Sequence, residues 1–395
     1  MYPENTHRSP YLPHRASSSP SMSSPSRPLP VLPLYLGIAA TGVGVALPGI
    51  ILPSLLTRLH LEDDQAGLFL LLAWLGSSVG ALLVRGPLRL ILTLGSLLIA
   101  GSSLGLSDLP AAFLKLLFLL FGLGLGITMT TISVLCQQNV DSKNVSLIRL
   151  NLAWAVGTFF CPPLALRAIA NGDPKPLLIA FGLCFAAFSL WAIRALPADL
   201  RLKKQSLQSA SQQRVPLYLV LLTFLVSGVE AAIGGWLTTY ADRIHLGLTV
   251  TIAAPTCLWA GLLLSRFLWA LPGIKITSEH LLRGSLWLIA ASSLLLIATT
   301  GGLGLLCAAF GIGFGAGPVY PLLLALALDF KESGGIFFIA GLGSACIPWL
   351  TGVISNERAS LRMGLIAPTA AALLMLLLAF LFPLQREPTT APSQT

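Results

Sequence analysis

Charge is what this sequence has least of. Only 10 % of its 395 residues are charged, while 55 % are hydrophobic and the mean hydropathy is +0.83. A chain this poor in charge cannot cover itself with water as a soluble globule. Cysteine is also sparse. The six, Cys136, Cys161, Cys184, Cys257, Cys307 and Cys346, stand singly in or beside apolar runs, with no CxxC spacing. That excludes a disulfide framework or a thiolate metal site and leaves them as small hydrophobes. No nucleophile stands with a base, no cluster has metal-ligand spacing, and no glycine loop fits a phosphate, so neither enzyme chemistry nor a metal or cofactor is expected. Residues 1–33 hold eight prolines and eight serines but no apolar core, which predicts a disordered tail and not a cleavable signal peptide.

What the sequence has instead is apolar runs. Twelve stretches are long enough to cross a hydrocarbon layer of ~30 Å, which takes about 20 helical residues. They lie at 34–57, 65–84, 88–107, 110–135, 147–171, 175–196, 216–241, 249–271, 279–300, 302–328, 333–354 and 361–383. Each is continuous and not alternating, so the expected spans are α-helices and not barrel strands. The expected organisation is a tail (1–33), a six-helix bundle (34–196), a polar linker (197–215), a second six-helix bundle (216–384) and a C-terminal tail (385–395). With both termini on the cytoplasmic side, 17 of the 24 lysines and arginines fall inside, including Arg85, Lys203, Lys204 and Arg266. The net charge of +9 is then orientation information under the positive-inside rule, and no nucleic-acid partner is needed to explain it.

The two sets of six repeat one another. "TRLHL" (57–61) returns as "DRIHL" (242–246), and Trp74-x-Gly76 returns as Trp259-x-Gly261, both at a spacing of 185. "FGLGLGI" (121–127) matches "FGIGFGA" (310–316) at 189, and Gly157 with Pro162 matches Gly343 with Pro348 at 186. Copies with an even number of spans start on the same face, so the repeats are parallel and related by an axis along the membrane normal. Two such bundles can rock about a shared site near the mid-plane.

One acid stands deep in a span. Glu230 lies fourteen residues into the seventh apolar run, where an unpaired charge facing lipid costs about 2.5 kcal/mol or more. Thr223, Ser227, Gly234 and Thr238 share its stripe at 100° per residue, which predicts that Glu230 faces a central cavity, as a ligand or a proton carrier. Further candidates for the cavity are Thr128 and Thr131 on the fourth span, Asn151 on the fifth, and Trp154, Trp236 and Tyr320 as stacking surfaces. Tyr240 reads as a residue of the interfacial aromatic belt. Arg149, Arg85 and Arg266 are expected as cytoplasmic anchors or gate residues.

Together these residues resemble the major facilitator superfamily, and within it the fucose permease-like branch. "LPGIILPSLLTRLHLEDDQAGL" is similar to that branch's first helix and loop, "IRLNLAWAVG" to its fifth helix and "GVEAAIGGWLTTYA" to its seventh. "PVYPLLLALAL" and "GGIFFIAGLGSACIPWLTGVIS" are similar to its tenth and eleventh. The resemblance implies a twelve-helix fold and alternating access. It also implies substrate and proton acids in helices one and four, but the matching positions here are Gly49 and Ile127. The amide-bearing positions of helix five match Trp154 and Gly157. Tyr320 is kept, and the loop between helices two and three is reduced to "VRGPLR" with no aspartate.

The expected function is secondary transport of a small polar or amphipathic solute, a sugar or related metabolite being favoured, with a proton as the candidate coupling ion and Glu230 as its candidate carrier. Efflux of lipophilic or drug-like compounds is the alternative, and a non-transporting sensor or scaffold on the same fold is a third reading. A monomer in the plasma (inner) membrane is expected.

Overall fold

The computed structural model describes residues 31–108, 110–139, 143–198, 200–201, 211–271, 277–327, 330–331 and 335–382, without the side chains of 139, 143–147, 166–169, 211–214 and 331. Nearly all of the N-terminal tail, most of the linker and the whole C-terminal tail therefore lie outside the described residues. The rest is helical: α1 (Val31–Leu59), α2 (Asp63–Leu82), α3 (Leu88–Asp108), α4 (Leu114–Asn139), α5 (Lys143–Ala170) and α6 (Lys175–Ala195) form one bundle. The second bundle is α7 (Leu217–Arg243), α8 (Leu248–Ala270), α9 (Ser278–Ala298), α10 (Gly302–Ala327), α11 (Gly335–Glu357), α12 (Leu361–Gly364) and α13 (Ile366–Leu381). The last two are pieces of one span, broken at Leu365. Eleven of the twelve spans are long and apolar enough to cross a membrane, and the other is α5, part of which is described without side chains. The chain is a multi-pass membrane protein built as two six-span helical bundles.

The repeat is visible in how the helices touch. A Cβ on Gly157 would lie 1.8 Å from the Ala39 carbonyl oxygen, and one on Gly343 would lie 1.9 Å from that of Phe224. Ala39 and Phe224 are 185 residues apart, so α5 crosses α1 as α11 crosses α7. Small residues at such crossings let helix backbones approach closely in lipid. The αL turn that ends α1 is also repeated. His60 (φ 52°) and His245 (φ 54°) hold the same left-handed conformation at the end of α1 and α7, which is what the "TRLHL" and "DRIHL" copies encode.

One expected offset is corrected. A Cβ on Gly122 would meet the Ala73 carbonyl oxygen at 1.8 Å, and its counterpart meeting the Leu258 carbonyl oxygen at 1.8 Å is Gly313, not Gly311. Gly124 likewise packs on Gly95 and Ile99 as Gly315 packs on Ser285 and Ile289. The offset between α4 and α10 is therefore 191, not 189. Between α3 and α9 it is 190, so the loop before α9 is about five residues longer than the one before α3.

The ends of the helices define two faces. On one, which we term the linker face, the Leu88 amide donates to the Leu200 carbonyl at 2.8 Å, and Pro87 bridges to Arg201. There too a two-residue strand, β2 (Phe330–Lys331), pairs in parallel with β1 (Ser211–Arg214), the end of the linker. On the opposite face the halves are latched by charge. Arg243, at the end of α7, donates to both carboxylate oxygens of Asp63 at 2.6 and 2.5 Å, and Ser355 of α11 donates to the same carboxylate at 2.5 Å. Asn356 adds a bond to Glu62 at 3.1 Å.

Candidate functional site

A cavity of about 310 Å³ lies between the two halves. Its wall is taken from α1, α2, α4 and α5 on one side and from α7, α8, α10 and α11 on the other, so neither bundle encloses it alone. The lining runs from the middle of the helices toward the linker face, through Ala81, Ser133, Leu150 and Phe337. The latched face contributes none of its helix ends.

Glu230 is on this wall, on α7, with Ser227 and Gly234 of the expected stripe beside it. The carboxylate makes no hydrogen bond and no ion pair within 4.0 Å among the described residues. It does interact electrostatically with Arg266 of α8 and Tyr320 of α10, both also on the wall. Arg266, expected as an anchor at the cytoplasmic side, therefore points its charge into the cavity. The guanidinium carbon sits 5.0 Å from the ring centroid of Trp154, on α5 of the other half, and Nε donates to the Gly317 carbonyl at 3.3 Å. Stacking on an indole face stabilises a desolvated guanidinium by about 0.5–2 kcal/mol, which holds it inside instead of letting it snorkel. Trp154 in turn meets Trp259 edge to face, with centroids 6.2 Å apart. The indole N–H of each is buried without an acceptor, as is the Ser227 hydroxyl. Two tryptophans, one guanidinium, one carboxylate and one phenol thus converge across the seam between halves.

The other sequence candidates divide. Asn151, Trp154, Tyr320 and Ser227 line the cavity. Thr128 and Thr131 do not: Thr128 is fully buried against Gly95 of α3, and the Thr131 hydroxyl donates to the Ile127 carbonyl of its own helix at 2.7 Å. The wall takes Gly126, Met129, Thr130 and Ser133 from α4 instead. Trp236 is fully buried and donates from Nε1 to the Pro348 carbonyl at 2.9 Å, tying α7 to α11 behind the cavity. Thr238 is buried away from the lining, with no partner for its hydroxyl. Arg149 and Arg85 are exposed at the linker face, outside the cavity. Sequence reasoning passed over Trp74 and Trp259 as lining residues, although the Trp-x-Gly repeat had singled out both.

Neither position matched to an acid in the resembling branch could present one to the cavity. A Cβ on Gly49 would fall 2.2 Å from the Gly234 carbonyl oxygen, because α1 and α7 touch there. Ile127 is buried against Gly95 and is not on the wall.

No protein-family model matches this sequence, and no curated protein does. The fold does match solved structures. Two are of a bacterial homologue of the human lysosomal transporter Spinster, in inward-facing conformations, one unoccupied (TM-score 0.61) and one occupied (TM-score 0.63). Each is 13 % identical to this chain and covers 89 % of it and 95 % of its own length. At that identity the likeness concerns the fold.

Proposed function

We propose that this chain is a secondary transporter that moves a small polar solute between the two faces of a membrane by rocking its halves about the central cavity, with Glu230 carrying a coupling proton. The observation that carries the reading is the cavity itself: it is shared by both halves, directed to the linker face, and backed on the opposite face by the Asp63–Arg243 latch. Opening that latch while closing the linker face would present the same wall to the other side, which is alternating access. The linker face is the cytoplasmic one by its excess of lysine and arginine.

The wall favours a polar solute over lipophilic efflux, because Glu230, Arg266, Tyr320 and Asn151 would all lose hydration to an apolar guest. A volume of about 310 Å³ suits a small metabolite. Of the fucose permease-like reading, Tyr320 is the one kept position that lines the cavity. The missing acids at Gly49 and Ile127 move any proton role to Glu230.

The test is uptake of a solute panel into proteoliposomes, with and without an imposed pH gradient. Gradient-driven accumulation is expected for the parent. Glu230→Gln should lose it while exchange of solute down its own gradient continues. Accumulation at the parental level in that variant removes the proton role, and a panel with no flux in the parent removes the transport reading.

A further inference from the structure

We propose that the transported solute is a carboxylate, seated on the guanidinium of Arg266 and entering together with one proton on Glu230. This deepens the transport reading above and rests on it. Several donors of the residues on the cavity wall have no acceptor among the described residues. Of the five N–H donors of Arg266, the Nε one reaches the Gly317 carbonyl, and the four of the terminal fork have no acceptor among the described residues. The indole N–H groups of Trp154 and Trp259 are buried on the same wall without acceptors. Guanidinium and indole are donors only. The guanidinium fork stands on the cavity wall with no protein acceptor among the described residues, so the component that complements it is an acceptor. Glu230 is the obvious acceptor, yet it stands more than hydrogen-bonding distance away and forms no ion pair within 4.0 Å with Arg266. The gap between them is where a ligand group belongs. A planar group with two acceptor oxygens fits the guanidinium fork in bidentate fashion, and a carboxylate is the smallest organic group of that kind.

Charge balance then fixes the stoichiometry. In the empty cavity Glu230 and Arg266 offset one another. A carboxylate arriving at Arg266 leaves two negative charges to one positive at the depth of the membrane span, and one proton on Glu230 restores neutrality. The other elements packed on α7 do not interfere. Tyr320 comes from α10; the cavity positions of α1, including Val45, Pro48 and Gly49, hold no titratable side chain; those of α11, including Phe337, Gly341 and Ser344, hold none; and α13 has none in its sequence. Each solute anion therefore travels with one proton, and the translocated complex is neutral.

The experiment uses the full chain in detergent, with acetate, benzoate and indole-3-acetate as probes against acetamide, benzamide and indole-3-acetamide. Thermal unfolding and tryptophan fluorescence report binding. At least one carboxylate should raise the unfolding temperature saturably while its amide does not. Its affinity should fall by up to tenfold per pH unit as pH rises, because each anion brings one proton. Arg266→Gln should weaken binding at least tenfold, and Arg266→Lys, which keeps the charge and loses the fork, should fall between. In Glu230→Gln the affinity should no longer depend on pH. An amide that binds as well as its carboxylate, no response to any carboxylate, or parental affinity in Arg266→Gln overturns the proposal. Flux separates the two claims: carboxylate binding without uptake into proteoliposomes fails the transport reading alone, while amides carried as fast as carboxylates fail the carboxylate assignment alone.

Discussion

Val45 and Glu230 hold the same place in the two halves, 185 residues apart and both on the cavity wall, yet one is apolar and the other an acid. Ala81 and Arg266 are related by the same offset, and Met129 and Tyr320 by the offset of 191 found for α4 and α10; all four line the cavity. The second half thus carries every charged and phenolic side chain of the wall. The first half answers with Asn151 and Trp154, whose counterparts at an offset of 186 are Phe337 and Ala340, again on the wall. Backbone crossings are duplicated, and side-chain chemistry is divided. A pocket whose charge lies on one half while the indole that stacks on its guanidinium, Trp154, lies on the other is complete only when the halves close on it.

Moving the acid tests that division hardest. Glu230→Val with Val45→Glu keeps one carboxylate on the wall but puts it across the seam from Arg266 and Tyr320. The double variant should stay as deficient in gradient-driven accumulation as Glu230→Gln, at least tenfold below the parent in a proteoliposome assay. Recovery to the parental level would mean that the halves are chemically interchangeable. Next in size are the two crossings. Gly157→Ala and Gly343→Ala each push a methyl group into a backbone carbonyl, and each should lose about 1–3 kcal/mol of stability in unfolding experiments. Matched losses are expected because the crossings match, and one neutral substitution would break the equivalence of the halves. The latch gives a smaller effect. Arg243 bonds the buried Asp63, whereas Arg58, its repeat partner, lies 3.8 Å from Asp173 with both side chains about half exposed. Since Arg243 is itself 41 % exposed, Asp63→Asn should shift the balance between the two access states by only about 1 kcal/mol, a five-fold change in population seen as labelling of cysteines near the latch. Arg58→Gln should change that labelling within error.

Twelve spans and a parallel duplication were legible in the sequence because lipid demands long apolar helices and close crossings demand small residues at fixed places. Glu230 was legible for the same reason, as a charge with no reason to be at that depth unless it faces protein or water. The register of α10 was not. In "GLGLG" and "GFGAG" glycine recurs every second residue, so the two strings align almost as well when slipped by two, and only the partners Ala73 and Leu258 fix the true offset. The inward face of α4 was hidden too. That helix is apolar all round, and Thr130 reaches the wall while Thr128 and Thr131 do not because α3 covers Gly124 and Thr128. Arg266 lies close enough to the end of its run to read as a snorkelling anchor, and what holds it inside is a tryptophan more than a hundred residues away in the chain. Such contacts belong to the assembled pair of bundles and leave no mark on either helix.

Paired spin labels measure the central claim most directly: one pair at Gln65 and Arg358 across the latched face, the other at Arg85 and Gly335 across the linker face. In reconstituted protein, each pair should show two distance populations that change in opposite directions, the latched face widening as the linker face narrows, with Asp63→Asn enlarging the widened population. Distances that stay single and fixed at both faces, in the parent and in Asp63→Asn alike, would contradict a pair of halves that rock about a common cavity.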